Sequence, residues 1–388
     1  MANTLTGLIP TIYEALDVVS RELIGYIPAV SRNASAERAS KDATIRIPIV
    51  PAVTAADNTP GVAAPDTGDQ TLGYVDMTIQ KSRHVPIRWN GEEQRGMQNA
   101  GTYNDVLRQQ FEQAFRTLTN EIEADLHAAA YKGASRAYGT AGTAPFGTAA
   151  DLSDAANLRK ILDDNGAPQS DLHLVLGSSA VVNLRGKQTL LLKANEEGDN
   201  TFRRTGAISA VPLDGFMLHN SNAVQAVSKG TGASYVTSGV TAIGVNQIAL
   251  VTGTGTVLAG DVVSFAADAN NKYVVNTGVA APGTITIGAP GARVSIATAN
   301  ALTVGNSYTP NVGFHRSAIQ LIARAPAAPT VNGRPMDLAE DAMLVTDPVS
   351  GLTFEVSVYP GFRQMTYHVA IAWGCAAIKP NHICTLIG

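Results

Sequence analysis

Charge is scarce in this chain. Asp, Glu, Lys and Arg supply 15% of its 388 residues, against roughly 25% in ordinary soluble proteins. A free monomer keeps a well-charged surface for solubility, so the shortfall points to a surface that something else covers. Basic residues form no long run and the net charge is −4, which excludes a strong electrostatic grip on nucleic-acid phosphates. Two cysteines, Cys375 and Cys384, are too few for a disulfide framework. No apolar stretch approaches the ~18 residues that a membrane helix needs. The opening residues Met1-Ala2-Asn3-Thr4-Leu5-Thr6-Gly7 lack the basic stretch and apolar core of a secretion signal. These absences together predict a soluble protein made in a reducing cytoplasm, with no membrane contact.

What is present is glycine, 36 residues of it, and a hydrophobic share of 45%, enough for two or three compact units. The most informative stretch runs from Thr44 to Trp89. Ile45, Ile47 and Ile49 alternate on one strand face, as do Val75, Met77 and Ile79, and Val85, Ile87 and Trp89 resume the pattern after a break. Between them lies a tip carrying Pro60, Gly61, Pro65, Asp66, Gly68 and Asp69. Arms of about fifteen residues would project on the order of 50 Å, and a lone two-stranded ribbon is marginal in water. Such an arm is expected to lie on another copy of the same protein. Ile45, Ile47 and Ile49 would cover apolar surface there. Arg46, Arg83 and Arg88 would pair with carboxylates on neighbours, or else stay solvated.

Ahead of the hairpin, Thr11-Ile12-Tyr13-Glu14 forms a capping box, and Ile12, Leu16, Val19 and Leu23 form one apolar stripe. Behind it, Leu107, Phe111, Phe115, Leu118, Ile122 and Leu126 recur at helical spacing. They predict a helix over 104–131, about 40 Å long. It reads either as a core helix of a bundle or as a spine, and no second helix of comparable length pairs with it. From Asp151 the pattern is α/β: a helix through Leu158, Ile161 and Leu162 that stops near Gly166, a strand at 172–176, then a short helix from Ser178. Between Ala223 and Val312 only Lys229, Asp261, Asp268, Lys272 and Arg293 are charged, with twelve glycines and short β-rich runs. That segment reads as an inserted all-β domain. Finally Phe354, Val356 and Val358 alternate into a turn at Pro360-Gly361, and Tyr367, Val369, Ile371 and Trp373 return.

Catalytic motifs fall short one by one. Gly177-Ser178-Ser179-Ala180-Val181 has Val181 where a nucleophile elbow closes with glycine, so Ser178 reads as a helix N-cap. Gly186-Lys187-Gln188 lacks the hydroxyl residue of a phosphate loop. Gly253-Thr254-Gly255 has Leu258 at the third glycine position of a dinucleotide fingerprint. His368, Cys375, His382 and Cys384 lack the close cysteine pair of a structural zinc site. Asp268-Ala269-Asn270-Asn271-Lys272 lacks the later glutamate of a calcium loop. No enzyme, metal or cofactor is predicted.

Certain runs resemble a known family. Gly260-Asp261-Val262-Val263-Ser264-Phe265 is similar to the "GD-x-[IV]-[ST]-F" turn in the insertion domain of coat proteins of the short-tailed Salmonella phage type. Thr284-Ile285-Thr286-Ile287 and Pro290-Gly291 resemble the next segment of that domain, and Asn311 to Ile319 the re-entry into the core fold. Ala370-Ile371-Ala372-Trp373-Gly374 with Lys379-Pro380 resembles the "ALWYG…RP" strand and exit. In order of elements the whole chain resembles the major capsid proteins of tailed bacteriophages, the Hong Kong ninety-seven-type fold.

The resemblance implies an α+β fold with seven parts: an N-terminal arm (1–38), an extended hairpin (39–90), a peripheral domain with a spine helix (91–150), an axial domain (151–222 and 313–345) interrupted by the β-rich insertion (223–312), and a closing peripheral hairpin (346–388). It also implies a shell subunit forming hexamers and pentamers, assembled in a bacterial host's cytoplasm with a scaffolding protein and a portal ring. The shell would enclose double-stranded DNA and mature by expansion; a decoration protein stays open. Some relatives cross-link a hairpin lysine to an asparagine. Lys81 lies in the hairpin, but no partner stands out. The competing readings are a non-viral nanocompartment shell of the same fold and a secreted β-rich binding module.

Overall fold

A computed structural model describes residues 24–34, 38–50, 53, 55–58, 60–61, 68–99, 103–149, 151–187, 212–331, 334–335, 337, 339–346 and 352–388. The stripe Ile12, Leu16, Val19 and Leu23 lies outside the described residues.

The described chain opens with strands β1 (Ser31–Ala34), β2 (Thr44–Ile49), β3 (Gly73–Thr78) and β4 (Lys81–Asn90), followed by helices α1 (Gly91–Asn99) and α2 (Tyr103–Lys132). Then come β5 (Arg136–Gly139), α3 (Ser153–Asp164), β6 (Leu172–Leu176), α4 (Ser178–Gly186) and β7 (Phe216–Asn220). A β-rich stretch supplies β8 (Val236–Thr237), β9 (Gln247–Val251), β10 (Val262–Phe265), β11 (Asp268–Thr277), β12 (Thr284–Ile287) and β13 (Leu302–Val304). The rest runs β14 (Pro310–His315), β15 (Ile319–Arg324), β16 (Thr330–Val331), β17 (Arg334–Pro335), β18 (Asp341–Thr346), β19 (Thr353–Gly361), β20 (Gln364–Ala377) and β21 (Ile383–Ile387).

Helix α2 spans 30 residues, about 45 Å. Its predicted seam is buried throughout: Leu107, Phe111, Phe115, Leu118, Ile122 and Leu126 are at most 3% exposed. The seam packs on a sheet and not on a second helix. That sheet runs β1-β15-β20-β19-β18, with β4 on the other side of β20. Phe111 meets Tyr367 edge-on at 5.7 Å between ring centroids, and Phe115 meets Phe354 at 5.2 Å. Each buried ring is worth about 1.5–3 kcal/mol by area alone.

A second, longer sheet runs β7-β6-β14-β21-β5-β11-β12-β9-β8, with β10 and β13 appended. Helices α3 and α4 bury Leu158, Ile161, Leu162, Val181 and Leu184 around one end of it. Gly166, at φ +72°, lets the chain leave α3 in the left-handed region that glycine tolerates. Between Tyr235 and Leu302 the strands enclose their own apolar cluster, including Ile248, Phe265, Tyr273 and Ile285. This barrel-like unit is joined edge to edge to the rest, because β5 pairs with both β21 and β11. Arg136 reinforces the seam, donating to Asn271 Oδ1 (3.1 Å) on the barrel side and to Ile161 O and Asn165 Oδ1 at the end of α3.

Several sequence expectations need correction. The strands read as one hairpin from Thr44 to Trp89 divide: only β2 and β3 form the ribbon, while β4 pairs with β20 over its full length. Val85, Ile87 and Trp89 therefore face the α2 core. The ribbon closes at its root, where Asp42 N donates to Ile79 O and Ile79 N to Ala43 O, and Gln80 N then donates to Trp373 O. Of the stretches given to the axial part, β15 and β18 lie in the helix-backed sheet; of those given to the peripheral part, β5 and β21 lie in the long one. The β19–β20 turn falls at Phe362-Arg363, because Pro360 pairs with Met365 and Gly361 with Gln364. The N-cap of α4 is Gly177, so Ser178 is not the cap.

Candidate functional site

The β2–β3 ribbon is a two-stranded sheet of its own, with six paired positions from Thr44↔Thr78 to Ile49↔Gly73, about 20 Å long. Alternation puts Ile45, Ile47, Ile49, Val75 and Met77 on one face. At the root this face is sealed: Met77 is 1% exposed and Ile79 0%, packed with Ala39, Ile322, Ala372 and Ile378. Outward it opens, and Ile45, Ile47, Ile49 and Val75 are only half-buried. Beyond the last pair, Val50 is 73% exposed and Leu72 59%. The ribbon thus carries an apolar stripe that its own chain covers at one end.

The opposite face is polar and internally paired. Arg46 donates to both oxygens of Asp76 at 2.8 and 3.0 Å, and its guanidinium sits 3.7 Å from the Tyr74 ring centroid. That hydrogen bond holds the Asp76 carboxyl below its ordinary range and raises Arg46 further. Lys81, Arg83 and Arg88 lie on β4, outside the ribbon. Lys81 pairs with Asp125 at 2.8 Å, and Trp373 Nε1 donates to the other oxygen of Asp125. Arg83 is 3.6 Å from Glu121, while Arg88 is exposed. Arg46, Lys81 and Arg83 therefore each have a carboxylate within their own chain.

A second projection is the β19–β20 turn, where Phe362 is 90% exposed beside Arg363 at φ +53°. A groove of about 730 Å³ separates this turn from the start of α1, between Trp89, Arg95 and Met365. Sequence reading missed Phe362; its signal is a large apolar residue set in a turn between two amphipathic strands. It also missed the root clamp, in which Arg38 donates to both oxygens of Glu355 at 2.9 and 2.7 Å.

The residues tested for chemistry are dispersed. Ser178 and Ser179 are exposed at the start of α4. Cys375 and Cys384 are buried on strands of different sheets, and burial pushes the Cys375 thiol up to about 12. Gly253 and Gly255 both sit at positive φ in a turn. Among the described residues, no group of three or more His, Cys, Asp or Glu side chains is arranged to hold a metal ion. Among the same residues, no helix is long and apolar enough to cross a membrane.

No protein-family model matches the chain, and no curated protein does. Solved structures do match. The cyanophage P-SCSP1u capsid has a TM-score of 0.47 at 12% identity, covering 92% of this chain and 86% of that one. The mature capsid of bacteriophage PhiM1 gives 0.45 at 12% identity, over 94% and 86%. A virus-like particle from Pyrococcus furiosus gives 0.45 at 9% identity, over 98% and 99%. These likenesses are to viral and virus-like shells. At such scores they carry no weight of their own for function, which rests instead on the ribbon and its surroundings.

Proposed function

We propose that this chain is a shell subunit: a major capsid protein of the tailed-phage type that assembles with copies of itself. The observation that carries the reading is the ribbon, a two-stranded projection whose apolar face is covered at the root and open toward the tip. Such a ribbon is marginal alone, and a second copy is the partner always present at matching concentration. Low overall charge supports the same reading, since buried subunit faces need little of it. The family resemblance of the Gly260–Phe265 and Ala370–Gly374 runs adds the expectation of hexamers and pentamers.

In this reading Ile45, Ile47 and Ile49 lie on apolar surface of a neighbour, and Arg46 and Arg88 present polar contacts at the margin. Many weak copies of one interface then give a closed particle without any strong single contact. A scaffolding protein and a portal ring would set size and polarity in the host cytoplasm. Expansion to a mature virion shell would come with packaging of double-stranded DNA, held without a basic grip.

The test is expression of the chain alone, with negative-stain electron microscopy of the soluble fraction. Closed shells, or tubes and spirals formed for want of scaffold, are the expected products. A monodisperse monomer that persists on concentration and on mixing with its scaffold would overturn the proposal.

A further inference from the structure

One end of the long sheet carries two histidines bonded to each other. Strand β7 lies at that end, paired in parallel with β6 alone among the described strands. Its Phe216 and Leu218 enter the core around α3 and α4. Alternation sends His219 to the opposite face, where it meets His173 of β6. His173 Nδ1 lies 2.9 Å from His219 Nε2, with the ring centroids 5.1 Å apart. The other nitrogen of His173, Nε2, is 3.0 Å from Asp171 Oδ1. A chain of hydrogen bonds thus runs from carboxylate to imidazole to imidazole, linking the start of β6 to the end of β7.

That chain has a fixed capacity for protons. An ionised carboxylate only accepts, so His173 carries a proton on Nε2. Between the two rings there is room for one proton more. In the neutral pair it sits on His219 Nε2 and points at the bare His173 Nδ1. An added proton goes to the outer nitrogen of His219, and every hydrogen bond survives. A second added proton has only His173 Nδ1 left, where the N–H of His219 already points. Two N–H groups on two like charges would then oppose each other across 2.9 Å. The joined pair therefore takes up one proton, whereas two separated imidazoles take up two.

We propose that this pair is an acid-sensitive clasp, which holds the end of β7 on β6 at neutral pH and loosens as pH falls. Separated imidazoles charge near their ordinary value of about 6.5. The clasp is complete above that pH and is lost as pH falls below it, because release takes up at least one extra proton. The charged and titratable groups facing the pair are Asp171 from the lead into β6, and His315 and Arg316 at the end of β14. Strand β14 also contributes the Phe314 ring, 6.2 Å from His173. Arg316 Nε stands 3.4 Å from the second Asp171 oxygen and offsets its charge. Arg316 and a charged His315 both oppose further protonation. Burial, then the neighbouring His173, pushes His219 down to about 4, in the same direction as the proton count. The clasp depends on this junction alone and stands apart from the shell reading.

Hydrogen exchange on the full-length chain tests it, with rates corrected for intrinsic pH dependence. From about pH 6 to about pH 5 the amides of β7 should lose at least about tenfold in protection relative to those of β12 in the barrel. His219→Gln keeps a side chain that can donate to His173 Nδ1 or accept from it, and that never charges. Its β7 protection, on the same scale, should become independent of pH. Wild-type protection that is flat relative to β12, or that rises toward acid, would overturn the clasp without need of any variant. So would a His219→Gln profile that tracks the wild type.

Discussion

Helix α2 and the β2–β3 ribbon are both amphipathic, and the chain treats them in opposite ways. The six seam residues of α2 are no more than 3% exposed and fill the largest core. The ribbon's isoleucines show equally regular alternation, yet only its root is sealed. An apolar stripe satisfied within the chain makes stability. One left open is, on the proposed reading, an interface, and the same periodicity in the sequence serves both.

Mutations can separate the two roles, and they rank by their effect on unfolding. Phe115→Ala removes a fully buried ring packed on Phe354 and should cost about 3–5 kcal/mol in denaturant unfolding. A loss under about 1 kcal/mol would mean that the seam is not the core. Arg38→Ala strips the bidentate partner from Glu355, a carboxylate only 7% exposed. It should cost about 1–3 kcal/mol, read as a lower urea midpoint, and it tests whether the ribbon root is rigid.

Acid should weaken the body next. Burial holds His127, His219 and His382 at about 4, below the ordinary imidazole value of about 6.5. The folded state binds their protons less tightly than the unfolded chain. Their contribution is therefore complete above about pH 6.5 and is lost as pH falls toward 4, on the order of 1 kcal/mol each. Urea midpoints at pH 7 and pH 5 read this loss. Equal midpoints there would mean that these imidazoles are solvated.

Ile47→Asp should have the smallest effect on unfolding, within about 0.5 kcal/mol as for a surface site, because Ile47 is only half-buried. The same change should abolish particles in the microscope. Intact particles from this variant would erase the distinction between helix and ribbon.

Much of this was legible in the sequence. The α2 seam stood out because six apolar residues kept helical spacing, and the strands at 172–176 and 284–287 ended where the alternation and turn residues placed them. The open ribbon face was visible as alternation around a Pro- and Gly-rich tip. The split between β3 and β4 was not. Both strands have a period of two, and what distinguishes them is the partner, since β4 pairs with β20 nearly three hundred residues away. Side-chain period says nothing about distant hydrogen bonding. Glu123, buried on α2, was hidden for a similar reason: next to Ile122 it reads as a solvated flank, and its donors come from Tyr26 and Ile27, ninety-odd residues earlier, and from Ser221, as far downstream. Lys81 and Arg83 looked free because Asp125 and Glu121 lie on a helix that comes near only after folding.

The join between barrel and body has a mechanical consequence. The two leads of the β-rich unit leave side by side, with Val227 and Tyr308 exchanging backbone hydrogen bonds of 2.8 and 3.2 Å. In connectivity it is a cassette whose cut ends would fall within bonding reach of one another. Its flank, however, is woven into β5, so no flexible string lets it swing. On the proposed reading, a wall tiled from such pieces would flex at the joints between tiles while each tile kept its outline, and a load on the β-rich unit would pass directly into the strands joined to it.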